Sequence, residues 1–289
     1  MNSGNQNVDP PGVPPAGGVP AIELRGASKV FRTPSGAAHT AVRDLDLTVG
    51  QGEFVAVVGP TGCGKSTTLT LVSGLEEPTE GEVLVGGETV TGIRPEVGFV
   101  FQQDAVFPWR TVLSNVMAGP RFRGVAKAEA RERARDWLGR VGLAAFEDRY
   151  PHQLSGGQRK RVALAQTFVN DPAILLMDEP FSALDVQTRA LMSDELLELW
   201  GGSRAGGRRA SVVFVTHDLE EAIALADKVV VMTAGPATVK QVFPIGLPRP
   251  RKVESVRLEP EFIEIYREIW SSLGEEVRIT RERGASRVA

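Results

Sequence analysis

The sequence is poor in cysteine and contains no long apolar run. Its single cysteine, Cys63, stands alone among 289 residues, which excludes an intramolecular disulfide and argues against a zinc cluster. This cysteine usage favours the cytoplasm over a secreted compartment. No stretch reaches the roughly 18 to 20 apolar residues that a membrane-spanning helix requires, so we predict that the chain does not cross a membrane.

A large excess of charge of one sign is also missing. Thirty-three Lys and Arg residues against 36 Asp and Glu give a net charge of -3, so no global positive field favours nucleic acid or an anionic membrane. The contents of 42% hydrophobic and 24% charged residues exclude collagen-like, coiled-coil and wholly disordered chains. Residues 1–20 contain five prolines and four glycines but no Lys or Arg. They are unlike a secretory signal, and we predict a disordered leader.

Hydrophobic patterning predicts an α/β fold. Residues 21–31 and 41–49 alternate apolar and polar positions around a turn at 33–36, as antiparallel strands with one exposed face do. Apolar runs predict further strands over 53–58, 82–86, 96–101, 173–177, 211–216 and 228–232. Helical spacing predicts helices over 64–74, 111–117, 126–141, 156–168, 186–200 and 219–226, and the region 103–170 forms a helical insert. After residue 235, a β-rich run at 238–243 and a helix near 259–273 form an appended C-terminal extension, 236–289.

A glycine-rich motif joins the strand predicted at 53–58 to the following helix. Its sequence, Gly59-Pro-Thr-Gly-Cys-Gly-Lys-Ser66, matches the phosphate-binding P-loop. Its glycines let backbone N–H groups converge on phosphate oxygens at a helix N-terminus. Lys65 is expected to bridge the β- and γ-phosphates and Ser66 to bind Mg²⁺, while Cys63 has a structural role. The alternative is a chance glycine-rich turn.

Two adjacent carboxylates follow another buried strand. In Ile174-Leu-Leu-Met-Asp-Glu179, Asp178 is expected to hold Mg²⁺ through water. Glu179 is expected to be the general base that polarises a water for attack on the γ-phosphate. Without the P-loop, the same pair of acids is equally typical of a solvated turn.

A second candidate phosphate cradle lies in Leu154-Ser-Gly-Gly-Gln158. Ser155 offers a hydroxyl and Gly156 and Gly157 offer unobstructed N–H groups where a helix begins. Seen in isolation, these five residues are better interpreted as a helix N-cap followed by glycines.

Taken together, the motifs resemble those of the nucleotide-binding subunit of an ABC transporter, over about residues 21–235. Gln102 matches the Q-loop glutamine, Leu154-Ser-Gly-Gly-Gln158 the signature, Ser182-Ala-Leu-Asp185 the D-loop, and His217 the switch histidine. The resemblance implies a P-loop ABC ATPase with an antiparallel β subdomain, a mainly parallel core sheet and a helical signature subdomain. It also implies a homodimer packed head to tail, with each ATP between one subunit's P-loop and the other's signature.

The resemblance further assigns roles to individual residues. The implied catalytic residues are Glu179, His217 and Gln102. The implied ATP contacts are Phe31, Gly59, Pro60, Thr61, Gly62, Cys63, Gly64, Lys65, Ser66, Thr67, Ser155, Gly156, Gly157, Gln158 and Asp185. The implied Mg²⁺ residues are Ser66, Gln102 and Asp178. Phe31 would stack on adenine, although a strand core position is the alternative.

The segment after Gln102 narrows the resemblance. A Pro108-Trp109 pair and the tail motif Leu247-Pro-Arg-Pro-Arg251 resemble importers of the nitrate, sulfonate and taurine group. Lys160 and Gln166 depart from the usual residues after the signature. The group implies two integral-membrane permease subunits, a separate solute-binding protein and a position at the cytoplasmic face of the cell membrane. We expect residues 107–109 to be exposed and to dock a permease helix, the alternative for Trp109 being a core position.

Basic residues concentrate in two places. Residues 121–140 carry seven basic and three acidic residues, and the loop 201–209 adds Arg204, Arg208 and Arg209. Few aromatics accompany them, so we expect solvated faces near a membrane-protein partner and no nucleic acid.

Another importer class and a soluble, non-transport ABC ATPase are the alternative functions. A P-loop kinase or GTPase leaves the signature and His217 unexplained, and the solute is not specified by this chain.

Overall fold

The computed structural model describes residues 18–32, 36–202 and 209–285. Most of the predicted leader, the turn at 33–35, and both Arg204 and Arg208 lie outside the described residues. Within the described residues no helix is both long enough and apolar enough to cross a membrane.

Nine of the described strands lie close to their predicted positions, with bounds that differ by a few residues, whereas the two-residue strand at 88–89 is not predicted. Those of the described chain are β1 (Ile22–Arg32), β2 (Ala38–Val49), β3 (Phe54–Val58), β4 (Glu80–Val85), β5 (Glu88–Thr89), β6 (Val97–Val100), β7 (Ile174–Asp178), β8 (Ser211–Val215), β9 (Lys228–Met232) and β10 (Val239–Pro244).

The helices of the described chain include two short ones, α3 and α8, that the periodicity does not predict. In order they are α1 (Lys65–Ser73), α2 (Val112–Val116), α3 (Ala118–Phe122), α4 (Lys127–Arg140), α5 (Gly156–Phe168), α6 (Val186–Gly201), α7 (Leu219–Leu225), α8 (Val253–Val256) and α9 (Pro260–Ala285). Pro120 is compatible with α3 because it lies in the first turn. Backbone N–H groups there make no hydrogen bond within the helix, so the missing N–H of a proline costs none.

Two sheets and a group of helices make up the fold. One sheet has the order β2-β1-β4-β5 and is antiparallel, which confirms the predicted β layer. The other has the order β10-β9-β3-β8-β7-β6, with parallel pairing from β9 to β6. All five residues of β3 are buried, as expected of a strand covered on both faces. The helices α2, α4 and α5 bury their own apolar cluster, which confirms the helical subdomain.

The parallel pairing places four chain segments at one edge of the main sheet. Strands β3, β6, β7 and β8 all end at this edge, and ligands of open α/β sheets bind beyond the carboxyl ends of the strands. The segments that follow them begin with Gly59, Phe101, Glu179 and Thr216. The sequence motifs therefore converge although they lie far apart along the chain.

The C-terminal segment is integrated with the main sheet. Strand β10 pairs antiparallel with β9, and Phe262, Ile269 and Leu273 are buried in the same core cluster as the central strands. Arg251 is also buried and donates to the carbonyls of Ala226 and Leu247, each at 2.6 Å. The sequence suggests an appendage, but packing makes this segment part of the core.

Helix α9 continues well past its predicted end at residue 273 and runs to Ala285. Glu276, which is buried, accepts a hydrogen bond from the backbone of Ala234 at 2.8 Å. Lys240 pairs with the same carboxylate at 2.9 Å. These tertiary contacts extend the helix beyond Gly274, where local propensity favours an end.

Candidate nucleotide site

The P-loop spans the gap between β3 and α1. Gly64 has a φ of 119°, in the left-handed region, and a Cβ there would lie 2.5 Å from the carbonyl oxygen of Ala41. Only glycine fits this position. No side chain in the described part of the chain caps α1, so the N–H groups of its first turn are left to other partners, as in a helix terminus that holds an anion.

Lys65 is folded back onto the P-loop. Its side chain is buried, and Nζ donates to the carbonyl oxygens of Gly59 at 2.9 Å and Pro60 at 3.0 Å. Cys63 is buried beside it, and burial raises the pKa of the thiol above its ordinary value. The loop therefore holds one ammonium group and a thiol that stays neutral.

Ser66 and Asp178 come together where α1 begins and β7 ends. The Ser66 side chain lies beside the Asp178 carboxylate, close enough to lower its pKa. Burial raises the pKa of Asp178, and the neighbouring Glu179 charge raises it further, against the opposing effects of Ser66 and Lys65. A hydroxyl and a carboxylate so placed are oxygen ligands of the kind that a hard divalent cation prefers.

Glu179, His217 and Gln102 form a polar cluster at the same sheet edge. Nδ1 of His217 lies 3.1 Å from Oε2 of Glu179, and the Gln102 amide nitrogen donates to that oxygen at 3.5 Å. Glu179 has a φ of 44°, a left-handed conformation that costs a non-glycine residue about 1 to 2 kcal/mol. Its backbone N–H donates to the Val215 carbonyl at 2.9 Å, which fixes this conformation against β8.

The signature residues form a helix cap. The Ser155 hydroxyl accepts from the Gln158 N–H at 3.2 Å, and Gln158 Oε1 accepts from the Ser155 N–H at 2.9 Å. Gly156 and Gly157 occupy the first turn of α5, where a Cβ on Gly157 would lie 3.2 Å from Thr188. Ser155 is therefore a helix cap, as one interpretation of the sequence has it. The same arrangement leaves two glycines in the first turn, as the interpretation of a phosphate cradle requires. Among the described residues, no hydrogen bond or ion pair joins this segment to the P-loop.

Asp185 and Phe31 also lie apart from the P-loop cluster. Asp185 caps α6 and accepts from the Thr188 N–H at 3.0 Å and hydroxyl at 2.7 Å. The Thr188 backbone and hydroxyl hydrogen bonds lower the pKa of this carboxyl. Phe31 is exposed on β1, with Lys29 Nζ 5.1 Å from its ring centroid. The exposed ring excludes the core alternative for Phe31.

Lys160 has a structural role that the sequence analysis missed. The side chain is buried, forms an ion pair with Asp104 at 2.7 Å and donates to the Gln102 carbonyl at 3.3 Å. Lys160 therefore joins α5, the helix that begins at the signature residues, to the backbone of Gln102. The available signal was its position: Lys160 shares a helix face with the buried Leu164 and Phe168, and a lysine on an apolar face needs a partner.

The aromatic segment after Gln102 borders a groove of about 240 Å³. Trp109 is 72% exposed and Phe122 is equally exposed, while Phe107 is half-buried and lines the groove. The core alternative for Trp109 is therefore excluded. An exposed aromatic group of this kind is typical of a protein–protein contact.

Comparisons with known proteins agree on one family. The family described as ABC transporter matches residues 42–182. An uncharacterized ABC transporter ATP-binding protein of Methanocaldococcus jannaschii is 44% identical over 89% of this chain and 92% of its own length. The nitrate import ATP-binding protein of Synechocystis is 38% identical over 87% and 94%, and the aliphatic sulfonates import ATP-binding protein of Bacillus cereus is 36% identical over 81% and 90%.

Solved structures show the same fold. An ATP-binding cassette, solved as a dimer in a post-hydrolysis state bound to ADP and Pi, is 31% identical to this chain. The match covers 78% of this chain and 98% of the cassette, with a TM-score of 0.67.

Proposed function

Because the chain belongs to the ABC transporter family of P-loop ATPases, we propose that it energises import of a small anion such as nitrate, a sulfonate or taurine. The observation that carries the proposal is the convergence of Glu179, His217 and Gln102 at the edge of the main sheet where the P-loop also lies. Nitrate and sulfonate import are the named functions of two relatives, and these support the class of solute.

The proposed chemistry is attack of a water on the γ-phosphorus of ATP, which breaks the bond from that phosphorus to the oxygen bridging to the β-phosphate and releases ADP and phosphate. Lys65 leaves the carbonyls of Gly59 and Pro60 to neutralise the β- and γ-phosphates. Glu179 accepts the proton of the water, and His217, 3.1 Å from that carboxylate, holds the water and the γ-phosphate in line. Proton transfer to a positioned carboxylate contributes roughly 10² to 10⁴ in rate.

Mg²⁺ fits the Ser66–Asp178 pair. This ion is usually bound through one or two protein carboxylates together with substrate phosphates, and the pair supplies a carboxylate with a hydroxyl beside it. Gln102 is the third residue of the proposed set. When bound, the ion neutralises charge on the β- and γ-phosphates.

The proposed assembly is a homodimer of this chain beneath two permease subunits, supplied by a separate solute-binding protein. Ser155, Gly156, Gly157 and Gln158 of one copy complete the site that the other copy's P-loop begins. In this proposed assembly the groove beside Trp109 receives a permease helix, and the chain lies at the cytoplasmic face of the membrane. Lys160 supports this coupling because it ties α5 to the backbone of Gln102, which follows Phe101 in the wall of the groove.

Solute uptake tests the proposal. Cells carrying Glu179→Gln in place of the native chain are expected to lose uptake of labelled nitrate, taurine or an alkanesulfonate, while glucose uptake continues. Glu198→Gln, an exposed carboxylate on α6, is the matched control and should retain all uptake. Unchanged uptake of every tested anion, with the purified Glu179→Gln protein inactive as an ATPase, would contradict the small-anion assignment.

A further inference from the structure

A cleft of about 440 Å³ separates the P-loop from the C-terminal helix. Its walls include Thr61 and Gly62 of the P-loop and His39 of β2. The opposite wall includes Thr280 and Arg283 of α9. A segment that the sequence suggests as an appendage thus borders the same space as the phosphate-binding motif.

The strand register indicates which end of a nucleotide this cleft receives. Phe31 and His39 are directly opposite on the antiparallel strands β1 and β2, so their side chains share one face of the sheet. Phe31 is the proposed adenine-stacking residue. The cleft therefore extends from the P-loop toward the nucleoside end of the proposed ATP site.

Helix α9 is fixed to the turn that backs the P-loop. Glu276 accepts from the Ala234 N–H at 2.8 Å, and Arg283 donates to the Ala234 carbonyl and, at 2.6 Å, to the Gly235 carbonyl. The other side of this turn meets the P-loop, since a Cβ on Gly235 would lie 3.8 Å from Cys63. One short turn thus separates the helix from the phosphate-binding loop.

Among the described residues, no ion pair joins Arg283 to a carboxylate. Its described hydrogen bonds go to two carbonyl oxygens, whereas Arg278 on the same helix lies 3.9 Å from the Glu282 carboxylate. A guanidinium held on carbonyls keeps its full charge and further N–H donors. It suits a ligand rich in hydrogen-bond acceptors, as the base and ribose of a nucleotide are.

We propose that the last turns of α9 form one wall of the ATP pocket and that Arg283 contacts the nucleoside part of ATP. The inference rests on the proposed function. The P-loop N–H groups and Lys65 are the proposed binding partners of the phosphates. Arg283 instead lines the cleft together with His39, which pairs with Phe31 across the strands. Arg283 is accordingly a binding residue, and the C-terminal helix is part of the nucleotide site.

Comparing ATP with tripolyphosphate, which has no nucleoside, distinguishes a contact with the nucleoside from an effect on the P-loop. Dissociation constants for ATP and for inorganic tripolyphosphate are measured by calorimetry in EDTA, which prevents metal-dependent turnover. For Arg283→Ala we expect the ATP constant to rise about 5- to 30-fold, as the loss of a charged hydrogen bond predicts. Tripolyphosphate should bind as it does to the wild type. Arg278→Ala, the matched control, should leave both constants unchanged.

The outcomes are distinct. Unchanged ATP affinity in Arg283→Ala would overturn the inference. An equal loss for ATP and tripolyphosphate would also overturn it, because the effect would then pass through the turn to the P-loop. Failure of the wild type to bind ATP would contradict the proposed function instead. If Arg283→Ala lowers the melting temperature, Arg283→Gln keeps a donor for the turn carbonyls and allows the same comparison.

Discussion

Nε of Arg189 faces Oε1 of Glu221 at 3.9 Å, and each of these buried atoms lacks a hydrogen-bond partner among the described residues. Glu221 uses its other oxygen to accept from the Thr216 hydroxyl at 2.6 Å. Arg189 pairs with Asp218 at 2.8 Å and donates to the Leu184 carbonyl at 3.1 Å. These contacts link the segment before α6 with the segment that carries His217.

The first prediction concerns pH. Burial raises the pKa of Glu221 from 4.5 to about 7, against the opposing Thr216 hydrogen bond, with Asp218 adding to the increase. Between these pH values the folded protein binds more protons than the unfolded chain, so the free energy of unfolding falls as pH rises through this window. Glu221→Gln removes this contribution. We expect its stability relative to the wild type to increase by about 3 kcal/mol from pH 4.5 to pH 7.

Urea unfolding at several pH values measures this difference. Glu220→Gln, an exposed neighbour, is the control and should keep the wild-type pH dependence. Parallel stability curves for wild type and Glu221→Gln would refute the raised pKa of Glu221.

The second prediction concerns the general base. Glu179→Gln keeps the size of the side chain but removes the proton acceptor, so kcat should fall roughly 10²- to 10⁴-fold. ATP affinity should stay within a few-fold of the wild type, because the P-loop is unaltered. Phosphate release and equilibrium binding measured on the same preparation separate the two effects. Hydrolysis at the wild-type rate would contradict the assignment.

The third prediction concerns the composite site. Ser155→Arg should block dimer closure and hydrolysis without abolishing ATP binding, because the substituted cradle serves the partner's nucleotide. Mixing it with Lys65→Ala should recover roughly a quarter of the wild-type activity, since only mixed dimers retain one intact site. ATPase assays of each variant and of the mixture provide the measurement. Full activity in a strictly monomeric preparation would exclude a shared site.

Ser155→Arg also removes the cap of α5, which costs roughly 0.5 to 2 kcal/mol. Thr111→Ala provides the matched control, because Thr111 caps α2 by accepting from the Ser114 N–H at 3.3 Å. It should lose similar stability and keep its ATPase activity.

The fourth prediction concerns the permease contact. Because Trp109 is 72% exposed, Trp109→Ala should leave the melting temperature and the isolated ATPase rate nearly unchanged. Co-purification with the permease and solute uptake should both decrease. Leu258→Ala, which removes a similarly exposed apolar side chain outside the aromatic segment 107–109, should decrease neither. A large loss of thermal stability with a proportionate loss of ATPase activity would instead assign Trp109 a packing role.

The sequence predicts the elements of this fold better than their tertiary contacts. The P-loop, Asp178, Glu179 and His217 are local patterns next to buried strands, and parallel topology brings such positions to one edge. Lys160, Arg189 and Arg283 could not be assigned in this way, because each acts through residues distant along the chain. The end of α9 was mispredicted for the same reason, since Glu276 is held by a turn between two strands.

The pairing of β3 has a consequence for synthesis of the chain. Phe54 pairs with Val212 on one side, and Val55 pairs with Lys228 on the other. An apolar central strand therefore leaves the ribosome long before either neighbour exists. Contacts so distant along the chain make folding slow, and β3 is prone to aggregation while it is unpaired. Chaperone supply during translation is accordingly expected to limit the yield of folded protein.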